Sequence, residues 1–248
     1  MPTEPTPRLT QLFSYTTAFY FRKLPVLLVF SIPTIFAFLI PLFVPAPTFV
    51  ALGAEVLRTG SLPDLTLVDV VITALAYLVS LFFISDAIAN INLILKSRRT
   101  LSPQSNEVIA ALSTYALRIT YIYTILLLLF SLFQILTFEK PLETWIYPLL
   151  VFLLSYLSFF AAPSIVMDDA PVHHAIGYSV RMALKKPLLF LAWVITGFVL
   201  LSLVRLFFGF LLPGYASVLT LFFNALFVLP YLIILQTQMY LEKYALAP

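Results

Sequence analysis

The stretch LLFLAWVITGFVLLSLVRLFFGFL, residues 188–211, carries one charged side chain, Arg205. About 20 residues of α-helix cross the hydrocarbon core of a bilayer, which is about 30 Å thick. Five further apolar runs come close to this length or exceed it: residues 25–44, 67–89, 119–136, 144–166 and 215–238. Pro33 and Pro230 lie inside two of these runs and are expected to kink them, because proline removes a helical hydrogen bond. The sequence therefore predicts an all-α integral membrane protein with six transmembrane helices in a single domain, residues 1–248.

The composition excludes most classes of soluble protein. Of the 248 residues, 62% are hydrophobic and 10% are charged, whereas a soluble domain has roughly 45–50% apolar and about 25% charged residues. A water-soluble fold of this length has too little interior to bury so much apolar surface. An ordinary soluble enzyme and a nucleic-acid-binding domain are therefore excluded. The chain contains no cysteine, which also excludes disulfides, thiolate metal sites and a cysteine nucleophile.

Basic residues are concentrated on one side of the predicted membrane. Of the 14 lysines and arginines, Arg58, Lys140 and Arg205 fall on one side, and all the others fall on the opposite side. Loops rich in lysine and arginine are retained in the cytoplasm. The distribution therefore predicts a multi-pass protein of the plasma membrane whose N- and C-termini are both cytoplasmic.

Three segments that precede the odd-numbered spans have an apolar and a polar face at helical spacing: residues 8–23, 103–118 and 171–186. Amphipathic helices of this kind lie in the membrane interface with the apolar face toward the lipid. One such helix followed by two spans recurs three times, which is compatible with a pseudo-threefold repeat. The alternative is that any protein with interfacial helices would show the same pattern.

Two groups of basic residues adjoin these segments, one directly after the second span and one at the end of the third segment. Near a charged membrane surface each base contributes about 1 kcal/mol of attraction to anionic lipids. We therefore predict that these side chains contact anionic lipid headgroups of the bilayer. The side chains are Lys96, Arg98, Arg99, Arg181, Lys185 and Lys186.

Residues 160–169 read FAAPSIVMDD and lead into Ala175, Ser179 and Pro187. This stretch resembles a motif in a broad group of multi-span proteins, which includes the membrane domain fused to some bacterial glycerophosphodiester phosphodiesterases. The resemblance implies a membrane fold for this chain. It implies no hydrolase activity, because no soluble stretch here is long enough to hold the catalytic barrel of those enzymes.

Asp86, Asn90 and Asn92 lie late in the second span or just past it. An ionisable side chain inside a membrane is costly to bury and is therefore a candidate functional site. This group predicts either a substrate or proton site, or a polar network that ties the helix to its neighbours. Arg205, near the outer end of the fifth span, is expected either to extend to water or to pair with Asp69.

Asp169 and His173 lie one helical turn apart, so both side chains could reach a single metal ion. With their neighbours Asp168 and His174 they form the densest group of candidate ligands in the chain. The alternative is that the aspartates cap the following helix while the histidines face lipid headgroups. The sequence has no phosphate-binding glycine loop, zinc-protease motif or serine-nucleophile motif, so we predict no catalytic residue and no cofactor.

Two functions of different classes follow from these patterns. The first is a non-enzymatic scaffold or accessory subunit of a membrane transport or membrane-maintenance system, with other membrane-protein subunits as partners and no nucleic acid. The second is a small-solute transporter or permeation pathway built on the polar groups of the second and fifth spans. A membrane-embedded enzyme is a third hypothesis, which depends on the metal candidates alone. A polar cavity around Asp86 or Arg205 would favour transport, whereas a solid apolar core would favour the scaffold.

Overall fold

The computed structural model describes residues 9–40, 67–100, 106–137 and 143–242, and within them the chain is helical with no β-strand. This confirms the all-α prediction. The helices are α1 (Leu9–Leu39), α2 (Leu67–Thr100), α3 (Asn106–Thr137), α4 (Glu143–Ser158), α5 (Ala161–Met167), α6 (Val172–Lys185), α7 (Pro187–Leu211), α8 (Ala216–Phe223) and α9 (Leu229–Leu241). A 3₁₀ turn, Pro213–Tyr215, precedes α8, and a π-helical turn, Asn224–Val228, joins α8 to α9.

Six segments of the described chain are long and apolar enough to cross a membrane, as the sequence predicts. Their bounds are Leu9–Leu39, Val71–Lys96, Thr114–Gln134, Thr144–Met167, Pro187–Leu211 and Pro213–Leu241. The second segment extends beyond the predicted 67–89. The fourth consists of two helices, α4 and α5, with an interruption at Phe159 and Phe160.

Two of the three predicted interfacial helices are not separate elements. Residues 9–23 continue without a break into the first span as α1, and α3 runs from Asn106 directly into the third span; residues 8 and 103–105 lie outside the described part. The third predicted segment does form a distinct helix, α6. Its last residue is Lys185, and the next residue, Lys186, has a non-helical conformation because it precedes Pro187. In the first segment Pro25 lies at the equivalent place, yet α1 continues through it.

The two prolines predicted to kink their spans lie in different local structures. Helix α1 continues through Pro33, whereas Pro230 follows directly on the π-helical turn. In a π-helix each N–H bonds to the carbonyl five residues back, so proline at this position leaves the Ala225 carbonyl without a donor from its own helix. Thr34 Oγ1 of α1 donates to that carbonyl at 3.0 Å, and the freed backbone group is satisfied by a neighbouring helix.

Replacing Thr34 by valine is expected to destabilise the bundle by about 1–3 kcal/mol, because the change leaves the buried Ala225 carbonyl unpaired. Thr34 is 2% exposed, and its hydroxyl also lies near the Ser31 carbonyl of its own helix. Thermal unfolding in detergent measures the loss. Thr196→Val is the control, because that hydroxyl bonds only within its own turn, to Ala192, and should change stability by no more than about 0.5 kcal/mol. Equal losses in the two variants would contradict this assignment.

Buried side chains are concentrated at one end of the bundle. Within the described residues, the buried apolar side chains of α2 lie between Ala87 and Leu95, and those of α3 lie between Tyr115 and Ile122. Helix α7 is buried near its start, whereas Phe210, close to its other end, is 88% exposed. The bundle is therefore tightly packed where α2 ends and α7 begins. We call this the basic end, because Lys96, Arg181, Lys185 and Lys186 lie there.

Candidate functional site at the basic end

The interruption of the fourth span is the main irregularity at the basic end. Pro163 has no N–H, so the Phe159 carbonyl one turn earlier has no donor in its own helix. Gln236 Nε2 of α9 donates to this carbonyl at 2.5 Å. Non-helical backbone at membrane depth is tolerated where protein groups satisfy it, and Gln236 fulfils that condition.

A single serine of α6 satisfies the other side of the interruption. The Phe160 N–H donates to Ser179 Oγ at 2.9 Å, and Ser179 Oγ donates to the Leu157 carbonyl at 2.7 Å. Ser179 is completely buried. Tyr156 OH adds a bond to the Ala183 carbonyl at 2.6 Å. These bonds fix α6 against the end of α4 and hold its position at the basic end.

Lys96 joins three elements at the turn that follows α5. Its Nζ lies 2.8 Å from Asp169 Oδ2 and donates to the Val166 carbonyl at 2.7 Å. Tyr115 OH of α3 also donates to the Asp169 carboxylate. Lys96, which the sequence pattern assigns to lipid headgroups, is instead engaged by protein groups and is 21% exposed. The side chains of Arg98 and Arg99, assigned to the same headgroups, lie outside the described part.

The turn itself has a strained residue, since Asp169 has φ = 53°. Aspartate tolerates the left-handed region better than most residues because its short side chain bonds locally. The preceding Asp168 accepts a hydrogen bond from Tyr240 OH of α9. The turn that contains Asp168 and Asp169 is therefore bonded to side chains of α2, α3 and α9. Because α6 follows directly, these bonds orient the start of α6.

A basic pocket lies where α6 meets α7 and the end of α9. Its volume is about 280 Å³, and its lining residues are Tyr178, Arg181, Met182, Lys185, Lys186 and Tyr240. Lys186 Nζ lies 3.2 Å from Glu242 Oε2, and the Glu242 side chain is 8% exposed. Arg181 and Lys185 form no ion pair with a described residue and are exposed. Two uncompensated positive charges therefore line a concave site, which suits an anion.

The structure does not bring the candidate metal ligands Asp169 and His173 into a site with a third ligand among the described residues. Asp169 is engaged by Lys96 and Tyr115, and the described residues contain no group of three histidines, cysteines or carboxylates that could hold a metal. The rings of His173 and His174 lie 4.3 Å apart on the exposed side of α6. The aspartates also differ from the predicted helix cap, because they bond to neighbouring helices.

The polar group of the second span divides into two separate interactions. Asn90 Nδ2 donates to Asp86 Oδ2 at 3.0 Å along the same face of α2, as the spacing predicts. Asn92 is completely buried and accepts a hydrogen bond from Thr237 of α9. Asn92 therefore belongs to the network that ties α2 to α9, which is the second of the two alternatives for this group.

Arg205 lies far from the basic end, on the exposed side of α7. It lines a cavity of about 450 Å³ between α7 and α8 that also contains Ser217 and Thr220. Arg205 and Asp69 form no ion pair in the part of the chain that the structure describes. The cavity places the guanidinium beside hydroxyl groups at the loosely packed end of the bundle.

Several residues of this site escape prediction from the sequence. Gln236 and Tyr240 belong to no motif, and Ser179 belongs only to the motif of the family resemblance, which does not indicate its bonds to the fourth span. Pro163, inside the fourth apolar run, is the local signal for an interruption. Its partners come from α6 and α9, so no local pattern indicates them.

Comparison with known protein families, with curated proteins and with solved structures found no match to this chain. The resemblance of residues 160–187 to the membrane domain of glycerophosphodiester phosphodiesterases therefore remains a prediction.

Proposed function

We propose that this chain is a non-enzymatic scaffold or accessory subunit of a membrane transport or membrane-maintenance system. The observation that carries the proposal is the use of the polar side chains around the interrupted fourth span. Ser179, Gln236 and Lys96 satisfy backbone groups of the interrupted span, and Asn92 bonds to Thr237. A catalytic centre needs polar groups that remain available for a substrate, whereas a scaffold needs them to fix one arrangement of helices.

The proposed location is the plasma membrane, with the N- and C-termini and the basic end in the cytoplasm. Lys96, Arg181, Lys185 and Lys186 lie at the basic end and Arg205 at the other, a distribution that supports this orientation. Arg181, Lys185 and Lys186 are proposed to contact anionic headgroups of the inner leaflet.

The proposed partners are other membrane-protein subunits. Helix α7 supports this proposal because, like the third span, it has few side chains buried within the described bundle. Phe198 and Phe210 on this helix are 72% and 88% exposed. Such a surface is suited to hydrocarbon or to the apolar helices of another subunit.

A transporter of a small solute is the alternative, and two observations favour it. Discontinuous helices are typical of transporter binding sites, and the fourth span is discontinuous at Phe159 and Phe160. The Arg205 cavity is the second observation, because it is a partly polar space between helices.

Co-purification in mild detergent tests the proposal. We expect a membrane-protein partner in a fixed molar ratio, recovered again when the partner carries the tag. The purified chain is also reconstituted in liposomes, where an entrapped pH dye reports proton flux and light scattering reports glycerol flux. The scaffold proposal predicts that neither flux changes in Asp86→Asn or in the control Asp69→Asn. The transporter would be established instead by two results together. The unmodified protein would purify without a partner, and the flux it supports would fall in Asp86→Asn but not in Asp69→Asn.

A further inference from the structure

An apolar cavity of about 830 Å³ opens between α3, α4 and α7, with single contributions from α2 and α9. Leu81, Leu126, Phe130, Val151, Phe152 and Val194 are among the residues that line it. The cavity lies within segments that are long and apolar enough to cross a membrane. Its size is in the range of ligand-binding pockets, roughly 300–1,000 Å³.

The polar groups of this cavity leave its surface mostly hydrocarbon. Trp193 Nε1 donates to the Leu232 carbonyl at 2.8 Å, Ser158 Oγ donates to the Leu154 carbonyl at 2.7 Å, and Gln236 Nε2 is bonded to Phe159. The hydroxyl-bearing residues Tyr123, Tyr147 and Ser155 also line the cavity, but apolar side chains supply most of its surface. A hydrocarbon chain is therefore the occupant that the lining favours.

The apolar cavity and the basic pocket share one face of α9 and meet again at the start of α7. On α9, Gln236 lines the apolar cavity and Tyr240 lines the basic pocket. Phe190 of α7 lines the apolar cavity, and Lys186, the non-helical residue just before α7, lines the basic pocket. Residues four positions apart lie on one face of a helix, about 6 Å apart along its axis. The two spaces are therefore adjacent, with the charged one closer to the basic end.

An aromatic pair connects the two spaces. The Phe159 ring packs against Phe190 at 5.1 Å in the apolar cavity, and the Phe160 ring packs against Tyr240 at 6.0 Å beside the basic pocket. The two phenylalanines contact each other at 4.7 Å. The interruption of the fourth span thus lies between the charged space and the apolar one.

We propose that the two spaces form one binding site for a single anionic phospholipid. The phosphate lies in the basic pocket against Arg181 and Lys185, whose charges no described carboxylate compensates, and one acyl chain enters the apolar cavity. This inference rests on the headgroup contacts in the proposed function. It adds that an acyl chain is also bound and that each protein molecule binds one lipid. The anionic headgroup is attracted by the cluster of basic side chains. The acyl chain of the lipid fills space in the apolar cavity that would otherwise lack van der Waals contacts.

Bound lipid on the purified full-length chain tests the site. Protein extracted from membranes of phosphatidylglycerol and phosphatidylethanolamine is washed with detergent, and native mass spectrometry counts the lipids retained. We expect about one phosphatidylglycerol per chain. Val194→Phe and Leu127→Trp fill the apolar cavity from opposite walls and should abolish retention. Val199→Phe, on the exposed side of α7 outside the lining, should retain the lipid.

The role of the basic pocket is tested with the double variant Arg181→Gln and Lys185→Gln. We expect its preference for phosphatidylglycerol over phosphatidylethanolamine to fall about tenfold or more, whereas Arg22→Gln with Lys23→Gln, two exposed bases of α1, should keep the preference. Monodispersity and helicity are measured for every variant to establish that it is folded.

Three results would overturn the lipid site. These are undiminished retention in both folded cavity variants, an unchanged headgroup preference in the folded double variant, and displacement of the lipid by excess inorganic phosphate, which would identify a site for free phosphate. The readout is the lipid on this chain alone. Absence of a protein partner would therefore contradict the scaffold proposal without affecting this one.

Discussion

Replacing Ser179 by alanine is expected to lower the free energy of unfolding by about 2–6 kcal/mol. The hydroxyl accepts the Phe160 N–H and donates to the Leu157 carbonyl, and the side chain is completely buried. Alanine keeps the packing of the β-carbon but leaves both backbone groups without a partner, and each unsatisfied buried group costs about 1–3 kcal/mol. The loss should be large because one side chain satisfies two backbone groups at the interruption.

Thermal or denaturant unfolding in detergent measures this loss, with Ser158→Ala as the matched control. The Ser158 hydroxyl bonds to the Leu154 carbonyl of its own helix at 2.7 Å, which is a contact of little consequence for stability. We expect the control to stay within about 0.5 kcal/mol of the unmodified chain. If the two alanine variants lost the same stability, Ser179 would not be the residue that holds the interruption together.

The six spans are predictable from length and hydropathy because the membrane imposes both. A segment that crosses hydrocarbon has to be apolar over about 20 residues, whatever its neighbours are. The end of α2 is less predictable. Asn90 and Asn92 suggest that the apolar run stops, yet the helix continues to Thr100, because Asp86 and Thr237 bond to these amides.

The basic end shows why the candidate site is only partly predictable. Lys96 stands close to Arg98 and Arg99 in the sequence, and that context favours contact with lipid headgroups. Its ion-pair partner, Asp169, lies 73 residues away, so only the packing of α2 against α5 brings the two together. Arg181 and Lys185 differ from Lys96 because they form no ion pair with a described carboxylate. For these two side chains, contact with lipid headgroups stays a proposal.

The separate existence of α6 and the continuity of α1 also have a local explanation. Pro187 forces Lys186 out of the helical region, and Asp169 at positive φ turns the chain before α6 begins. Pro25 lies at the equivalent place in the first segment, yet α1 continues through it. A proline therefore permits a break without requiring one.

Replacing Lys96 by methionine is expected to destabilise the bundle by about 1–3 kcal/mol, and Asp169→Asn is expected to cost less than about 1 kcal/mol. The Asp169 side chain is 60% exposed, so its ion pair with Lys96 is weakened by water and contributes about 0–1 kcal/mol. Val166 is fully buried, and its carbonyl is among the last four of α5, which have no partner within the helix. Lys96 is the donor that satisfies it at 2.7 Å.

Unfolding of both single variants and the double variant measures the coupling between the two side chains. Methionine retains the length and packing of the lysine stem, and asparagine retains the tolerance for positive φ, so each change removes the charge with little other disturbance. We expect a coupling of about 1 kcal/mol or less, with most of the lysine effect surviving in the Asp169→Asn background. Lys23→Met, an exposed base of α1, should change stability by no more than about 0.5 kcal/mol. A lysine effect that vanished once Asp169 was neutral would assign the stabilisation to the ion pair, and the Val166 carbonyl would then contribute nothing.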